Sequence, residues 1–158
     1  MESTESFLDA VNLGLRLISK SAAYPGNLLL VEATAPNDRY VNSPLELLQL
    51  KVVTSDGRIS HGIKSTAWDK FSDVEILGLA HTDNRLLPLH IGMDAQEADK
   101  LLKTTGYTAP YNQMTLRYPL YPGVDEPYYI FRLSDNGVNG SAFVGVYSKR
   151  VFWHEDQH

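Results

Sequence analysis

The sequence predicts a single α+β domain, residues 1–158, with two helices packed on one face of an antiparallel sheet. Two segments carry apolar residues at helical spacing, and each is followed by several short runs of strand-forming residues. Turn signals rather than further helices separate these runs, which favours antiparallel pairing over a doubly wound parallel sheet. A chain of 158 residues is long enough for one such domain.

The first helix is predicted over residues 3–20, where Phe7, Val11, Leu15 and Ile18 share one face. The strands predicted to follow it cover residues 28–33, 45–54, 58–64, 74–80 and 86–89. The tripeptide Ser-Asp-Gly at 55–57 predicts a hairpin between the second and third of these strands, because glycine tolerates a positive φ.

The second helix carries the clearest local signals in the chain. Asp94 is predicted to cap its first turn, Glu97 to complete a capping-box-like pair, and Met93 to pack against Ala98. Gly106 is predicted to end the helix. The strands predicted after it cover residues 113–118, 128–133, 142–147 and 151–153.

The two helical segments align with each other at an offset of 85 residues. The identities at this offset are Asp9 with Asp94, Ala10 with Ala95, Leu17 with Leu102, Pro25 with Pro110 and Asn27 with Asn112. The alignment suggests two helix-plus-sheet half-repeats, residues 1–90 and 91–153.

The Gly92-Met93-Asp94 opening, followed by Glu97-Ala98 and Leu101-Leu102, resembles the Gly-Met-helix element of the β-lactamase-inhibitor-protein-like modules. In that family a helical segment precedes an antiparallel sheet, and the inhibitor itself contains two such units. The resemblance implies a binding protein without catalysis. This chain departs from the family in having no cysteine and no recognisable leader.

Composition narrows the classes of partner. The net charge is −5, and the 14 basic residues are scattered, so we expect no nucleic-acid partner. No apolar run is long enough for a membrane span, and the N-terminal residues lack a signal peptide's basic region, so we expect a cytoplasmic protein without membrane contact. An acidic surface favours a basic protein partner.

The C-terminal residues His154-Glu155-Asp156-Gln157-His158 match the H-E-x-x-H zinc motif. The motif works on a helix with a third ligand elsewhere, and this segment has neither an apolar stripe nor a downstream ligand. We therefore expect residues 154–158 to be a flexible tail, and we predict no metal site, no cofactor and no catalytic residue.

A tyrosine- and proline-rich segment between residues 107 and 129 holds six of the nine tyrosines. Prolines lower the entropy that a loop loses on binding, and tyrosine is a frequent interface anchor. The predicted partner-binding residues are Tyr111, Tyr118, Tyr121, Asp125 and Glu126, with the two acids supplying rim charge.

The leading functional hypothesis is a non-enzymatic protein-binding module, an inhibitor or immunity-type protein that blocks a partner sterically. A second hypothesis is a small-molecule-binding protein or enzyme with a pocket between helix and sheet, using His61, His81, Asp83 and tyrosines. A third is a secretion chaperone or structural subunit, which would need an apolar exposed face on the first helix.

Overall fold

The computed structural model describes residues 6–21, 27–55, 59–67, 70–79, 84–88, 91–119, 125–135 and 137–156. The predicted α+β class is confirmed, since two α-helices accompany an antiparallel sheet. The helices are α1 (Phe7–Ser21) and α2 (Ala95–Thr105). The strands are β1 (Asn27–Thr34), β2 (Gln49–Ser55), β3 (Ile59–Ala67), β4 (Lys70–Phe71), β5 (Glu75–Leu79), β6 (Asn84–Arg85), β7 (Tyr111–Pro119), β8 (Tyr128–Asp135), β9 (Val138–Gly145) and β10 (Val151–Glu155).

The strands follow the order β10-β9-β8-β7-β1-β2-β3-β4, with β5 also paired to β3 and β6 to β7. Every pairing is antiparallel. The four strands that follow α2 therefore lie on one side of the β1–β7 junction, and those that follow α1 lie on the other, apart from β6, which pairs with β7.

One face of the sheet forms the hydrophobic core with both helices. Two rows of paired residues cross this face, namely Val151-Val144-Tyr129-Leu116-Val31-Val52-Ile63 and Trp153-Ala142-Phe131-Met114-Ala33-Leu50. Phe7 of α1 contacts the ring of Tyr129 edge-on, with 5.9 Å between centroids. The buried residues of both helices belong to the same cluster as these rows, so the remaining alternate positions form a second face.

Asp94 connects the two helices. Its side chain accepts a hydrogen bond from the N–H of Gln96 in the first turn of α2, as predicted. The same carboxylate also accepts from the N–H of Leu8 at 3.0 Å, in the first turn of α1. Gly106 ends α2 with a left-handed φ of 118°, which confirms its predicted role.

Three predictions about local structure are corrected. Residues 45–48 are not strand, because Pro44 opens a 3₁₀ turn (Pro44–Glu46) capped by Ser43. Residues 86–88 are not strand either, and only the N–H of Leu87 reaches the sheet, at the carbonyl of Leu28.

The third correction concerns the C-terminus, which is ordered as far as Asp156 rather than flexible from His154. His154 and Glu155 pair with Ser141 and Gly140 in β10. The N–H of Asp156 donates to the carbonyl of Asn139 at 2.9 Å.

Candidate functional site

Tyr111 lies in the core rather than at a binding surface. Its exposed fraction is 0%, and its hydroxyl donates to Asp99 at 2.6 Å. Burial, together with the hydrogen bond and the charge of Asp99, raises the pKa of Tyr111 far above its ordinary value. A side chain without accessible surface cannot anchor a partner, so Tyr111 is reassigned to a structural role.

Glu126 is also buried, with 3% of its surface exposed. Its carboxylate accepts hydrogen bonds from the N–H groups of Tyr147 and Ser148 at 2.7 and 2.8 Å and from the Ser148 hydroxyl at 2.7 Å. Burial alone would raise the pKa of Glu126, but these bonds and the charge of Arg150 lower it. Glu126 therefore holds the turn between β9 and β10, and its predicted role as a rim charge is corrected.

Of the other three predicted contacts, the structure describes Tyr118 and Asp125. Tyr118 is half-buried against the core, with the guanidinium of Arg85 5.2 Å from its ring centroid. Asp125 is exposed. Tyr121 lies outside the described residues, so its predicted contact is neither supported nor corrected.

The second face of the sheet carries no helix in the described chain, and we call it the free face. Its three rows are His154-Ser141-Arg132-Gln113-Thr34-Gln49, Phe152-Phe143-Ile130-Thr115-Glu32-Lys51-Lys64 and Gly145-Tyr128-Arg117-Leu30-Val53-Gly62.

Aromatic side chains meet on the free face across β8, β9 and β10. Phe143 stacks on Phe152, with ring centroids 4.9 Å apart and an interplanar angle of 5°. Tyr128 and His154 contact this pair edge-on. We call these four residues the aromatic patch. Phe152 keeps 44% of its surface exposed, so the stacked pair is open to solvent.

Lysines occupy the opposite end of the same face. Lys51 in β2 pairs directly with Lys64 in β3. Together with Lys70 in β4 they line a cleft of about 610 Å³, which we call the lysine cleft. The remaining lining residues are Glu32, Thr34, Gln49, Leu50, Ser65, Thr66, Phe71 and Ser72.

Because of these lysines, charge is unevenly distributed over the molecule. The three rows of the free face contain four basic residues, Lys51, Lys64, Arg117 and Arg132, and two acidic residues, Glu32 and, opposite Gly62 where the third row continues into β5, Glu75. Arg132 is neutralised at the rim by two hydrogen bonds to Asp156. The free face thus carries more basic than acidic side chains, in a chain whose net charge is −5.

The zinc-motif residues do not lie on a helix. His154 and Glu155 belong to β10, so the helical backbone on which the motif depends is absent at these two residues. His158 lies outside the described residues. Within the described ranges, no three histidine or acidic side chains come together as a metal site.

The geometry also bears on the two alternative hypotheses. A cavity of about 600 Å³ lies between α1 and the sheet, and the described residues that line it include no histidine or tyrosine. His61 lies in β3, while His81 and Asp83 fall outside the described residues. The exposed residues of α1 between its ends are polar, namely Asp9, Asn12, Arg16, Ser19 and Lys20. The leucines at 8, 13, 15 and 17 are half-buried, so the helix offers a chaperone no fully exposed apolar residue between its ends.

The comparisons with known proteins show a shared fold and do not identify a function. No protein-family model and no curated protein matches the chain. A crystal structure from Clostridium difficile 630, of a protein provisionally named a lipoprotein, matches with a TM-score of 0.68. The match covers 99% of this chain and 96% of the other at 14% identity, so it shows a shared fold alone. No helix in the described part of this chain is long and apolar enough to cross a membrane.

Proposed function

We propose that the protein is a non-enzymatic binding module, of the inhibitor or immunity type, that blocks a protein partner with the free face of its sheet. The aromatic patch is the observation that carries this proposal. The patch lies on paired strands, whereas the sequence predicted a binding site in the tyrosine- and proline-rich segment between residues 107 and 129.

The patch has the composition and setting of a binding anchor. Aromatic side chains dominate the energetics of protein interfaces because each buries a large area with few rotamers to freeze. Phe143 and Phe152 are held by strand pairing and by stacking on each other, so little entropy is lost when a partner covers them. Charged Arg132 and Asp156 border the patch, as a polar rim borders an interface core.

The half-repeats are part of the same proposal, and the topology supports them. Adding the offset of 85 residues to β1, Asn27–Thr34, gives 112–119, which falls within β7, Tyr111–Pro119. Adding it to α1, Phe7–Ser21, gives 92–106, which contains α2, Ala95–Thr105. A two-unit arrangement of this kind is what the resemblance to the β-lactamase-inhibitor-protein-like modules implies.

The test is capture of host proteins by the wild-type chain and by two variants. Phe152→Ala with Phe143→Ala removes the patch, and Tyr147→Ala removes an exposed aromatic ring outside it. We expect quantitative mass spectrometry to find a protein that the wild type and Tyr147→Ala retain and the patch variant loses. Equal retention by all three chains, with the patch variant folded by circular dichroism, would refute the free face as the binding site.

A further inference from the structure

We infer that the lysine cleft binds the carboxylates of an acidic peptide segment presented by the protein partner. This inference rests on the proposed function, because it names the chemistry of the partner on the same free face. It also reverses the sequence-based expectation of a basic partner.

The first argument is the pairing of like charges. Lys51 lies opposite Lys64, and cross-strand pairs of like charge are destabilising. Neither side chain, nor that of Lys70, forms an ion pair or hydrogen bond with the described residues. Glu32 faces Lys51 from the other side, and among the residues that line the cleft it is the acidic one beside three lysines. Anionic groups from outside the chain would relieve the repulsion.

The second argument is the supply of neutral polar groups around the lysines. Hydroxyls of Thr34 and Thr66 and the amide of Gln49 line the cleft. Hydroxyl and amide groups can donate to carboxylate oxygens that the ammonium groups attract. The cleft therefore offers both the charge and the hydrogen bonds that a row of carboxylates requires.

The third argument concerns the kind of anion. Lys64, Thr66, Lys70 and Ser72 are all exposed, so the cleft is open and would bury little of a small molecule. Small-molecule sites usually bury most of their ligand. An extended peptide segment that crosses the strands can contact many residues even though the cleft is open. Its path continues along the free face, since Glu32 and Thr115 join the lysines to Ile130 and the aromatic patch in one row.

The experiment uses a fluorescein-labelled hexaglutamate peptide, with binding followed by fluorescence anisotropy at low ionic strength. We expect the double variant Lys51→Gln with Lys64→Gln to bind about tenfold more weakly than the wild type. The matched control, Lys20→Gln with Lys100→Gln, removes the same charge from exposed positions on the two helices and should bind as the wild type does. Equal weakening by both double variants would overturn the inference, because net charge rather than the cleft would then set the affinity.

Inorganic phosphate and a hexalysine peptide complete the test. Displacement of the glutamate peptide by phosphate at a lower concentration than by unlabelled hexaglutamate would overturn the assignment to carboxylates. Tighter binding of hexalysine than of hexaglutamate would overturn it as well. The Phe152→Ala, Phe143→Ala variant should bind hexaglutamate normally. The inference and the proposed function can therefore fail separately.

Discussion

Val31 and Leu116 face each other across β1 and β7 at the middle of the sheet, and they are 85 residues apart in the chain. The neighbouring pairs show the same relation. Adding 85 to Leu30 and Glu32 gives Thr115 and Arg117, and these are the partners of Glu32 and Leu30 respectively. Val31 therefore meets the residue 85 positions further on, while Leu30 and Glu32 exchange theirs, which is the reciprocal pattern of contacts that a two-fold axis produces.

Shortening the side chain at this central pair should destabilise the whole domain. Leu116 is fully buried, so Leu116→Ala is expected to cost about 2–5 kcal/mol of unfolding free energy through lost burial and the cavity it leaves. Thr115→Ala, on the free face of the same strand, should cost less than about 1 kcal/mol. Urea unfolding measures both values, and equal losses would contradict the assignment of the two faces.

The hydrogen bond between Tyr111 and Asp99 should also contribute to stability. Tyr111→Phe keeps the ring and removes the hydroxyl that Asp99 accepts from, so we expect a loss of about 1–3 kcal/mol. Tyr147→Phe removes the hydroxyl of an exposed tyrosine and should change the unfolding free energy by less than about 0.5 kcal/mol. A Tyr111→Phe variant as stable as the wild type would show that the bond is not formed in solution.

Glu126 should make stability depend on pH in the acid range. Its pKa in the folded chain lies below its ordinary value of 4.5, so its contribution is complete above that pH and is lost as the pH falls through the folded pKa. Glu126→Gln should therefore be less stable than the wild type at pH 7, and the difference should shrink below about pH 4.5. Unfolding curves between pH 7 and pH 3 give this difference, and one that stays constant would exclude the assigned role.

Gly140 lets β10 pack closely on β9. A Cβ atom there would lie 2.6 Å from the carbonyl oxygen of His154 and 3.0 Å from Cα of Glu155, so Gly140→Ala must displace β10. We expect a cost of about 1–3 kcal/mol and faster hydrogen exchange at the amides of β10. At Gly92 a Cβ atom would meet nothing within 4 Å, so Gly92→Ala is the control. Unchanged exchange in the Gly140 variant would argue against this pairing.

The sequence predicts elements well where the signal is local. Asp94 and Gly106 mark the ends of α2 because a cap acts on the backbone next to it. The strand predicted at 45–54 begins only at Gln49, because Pro44, with Ser43 before it, favours a 3₁₀ turn over strand geometry. The Ser43-Pro44 signal is visible in the sequence, but the apolar residues that follow it favoured the prediction of a strand.

The site was harder to predict because it is assembled by strand pairing. Tyr111 and Glu126 belong to a tyrosine- and proline-rich stretch, yet burial decides what they do, and composition does not report burial. Phe152 lies between Val151 and Trp153, so β10 has apolar residues facing both ways. That pattern could have indicated that apolar side chains lie on both faces of the sheet at this edge.

The lysine pair could not have been found from the predicted hairpin alone. Lys51 lies four residues before the predicted turn at 55–57 and Lys64 seven residues after it, so pairing symmetric about that turn would place His61 opposite Lys51. The register had to be known to within one residue, because a slip of one moves every side chain to the other face.

At the end of the sheet near the lysines, β5 pairs only with β3 in the described part of the chain and carries Ile76, which is 74% exposed. Apolar edge strands of this kind recruit further chains and start aggregates. Here the register shifts between Ser60 and His61, and Gly78 takes a left-handed φ of 101°, so the edge is too irregular to continue a ladder. We therefore expect concentrated solutions of this protein not to form fibrils, because the irregular β3–β5 edge does not offer a regular row of hydrogen-bonding groups to another chain.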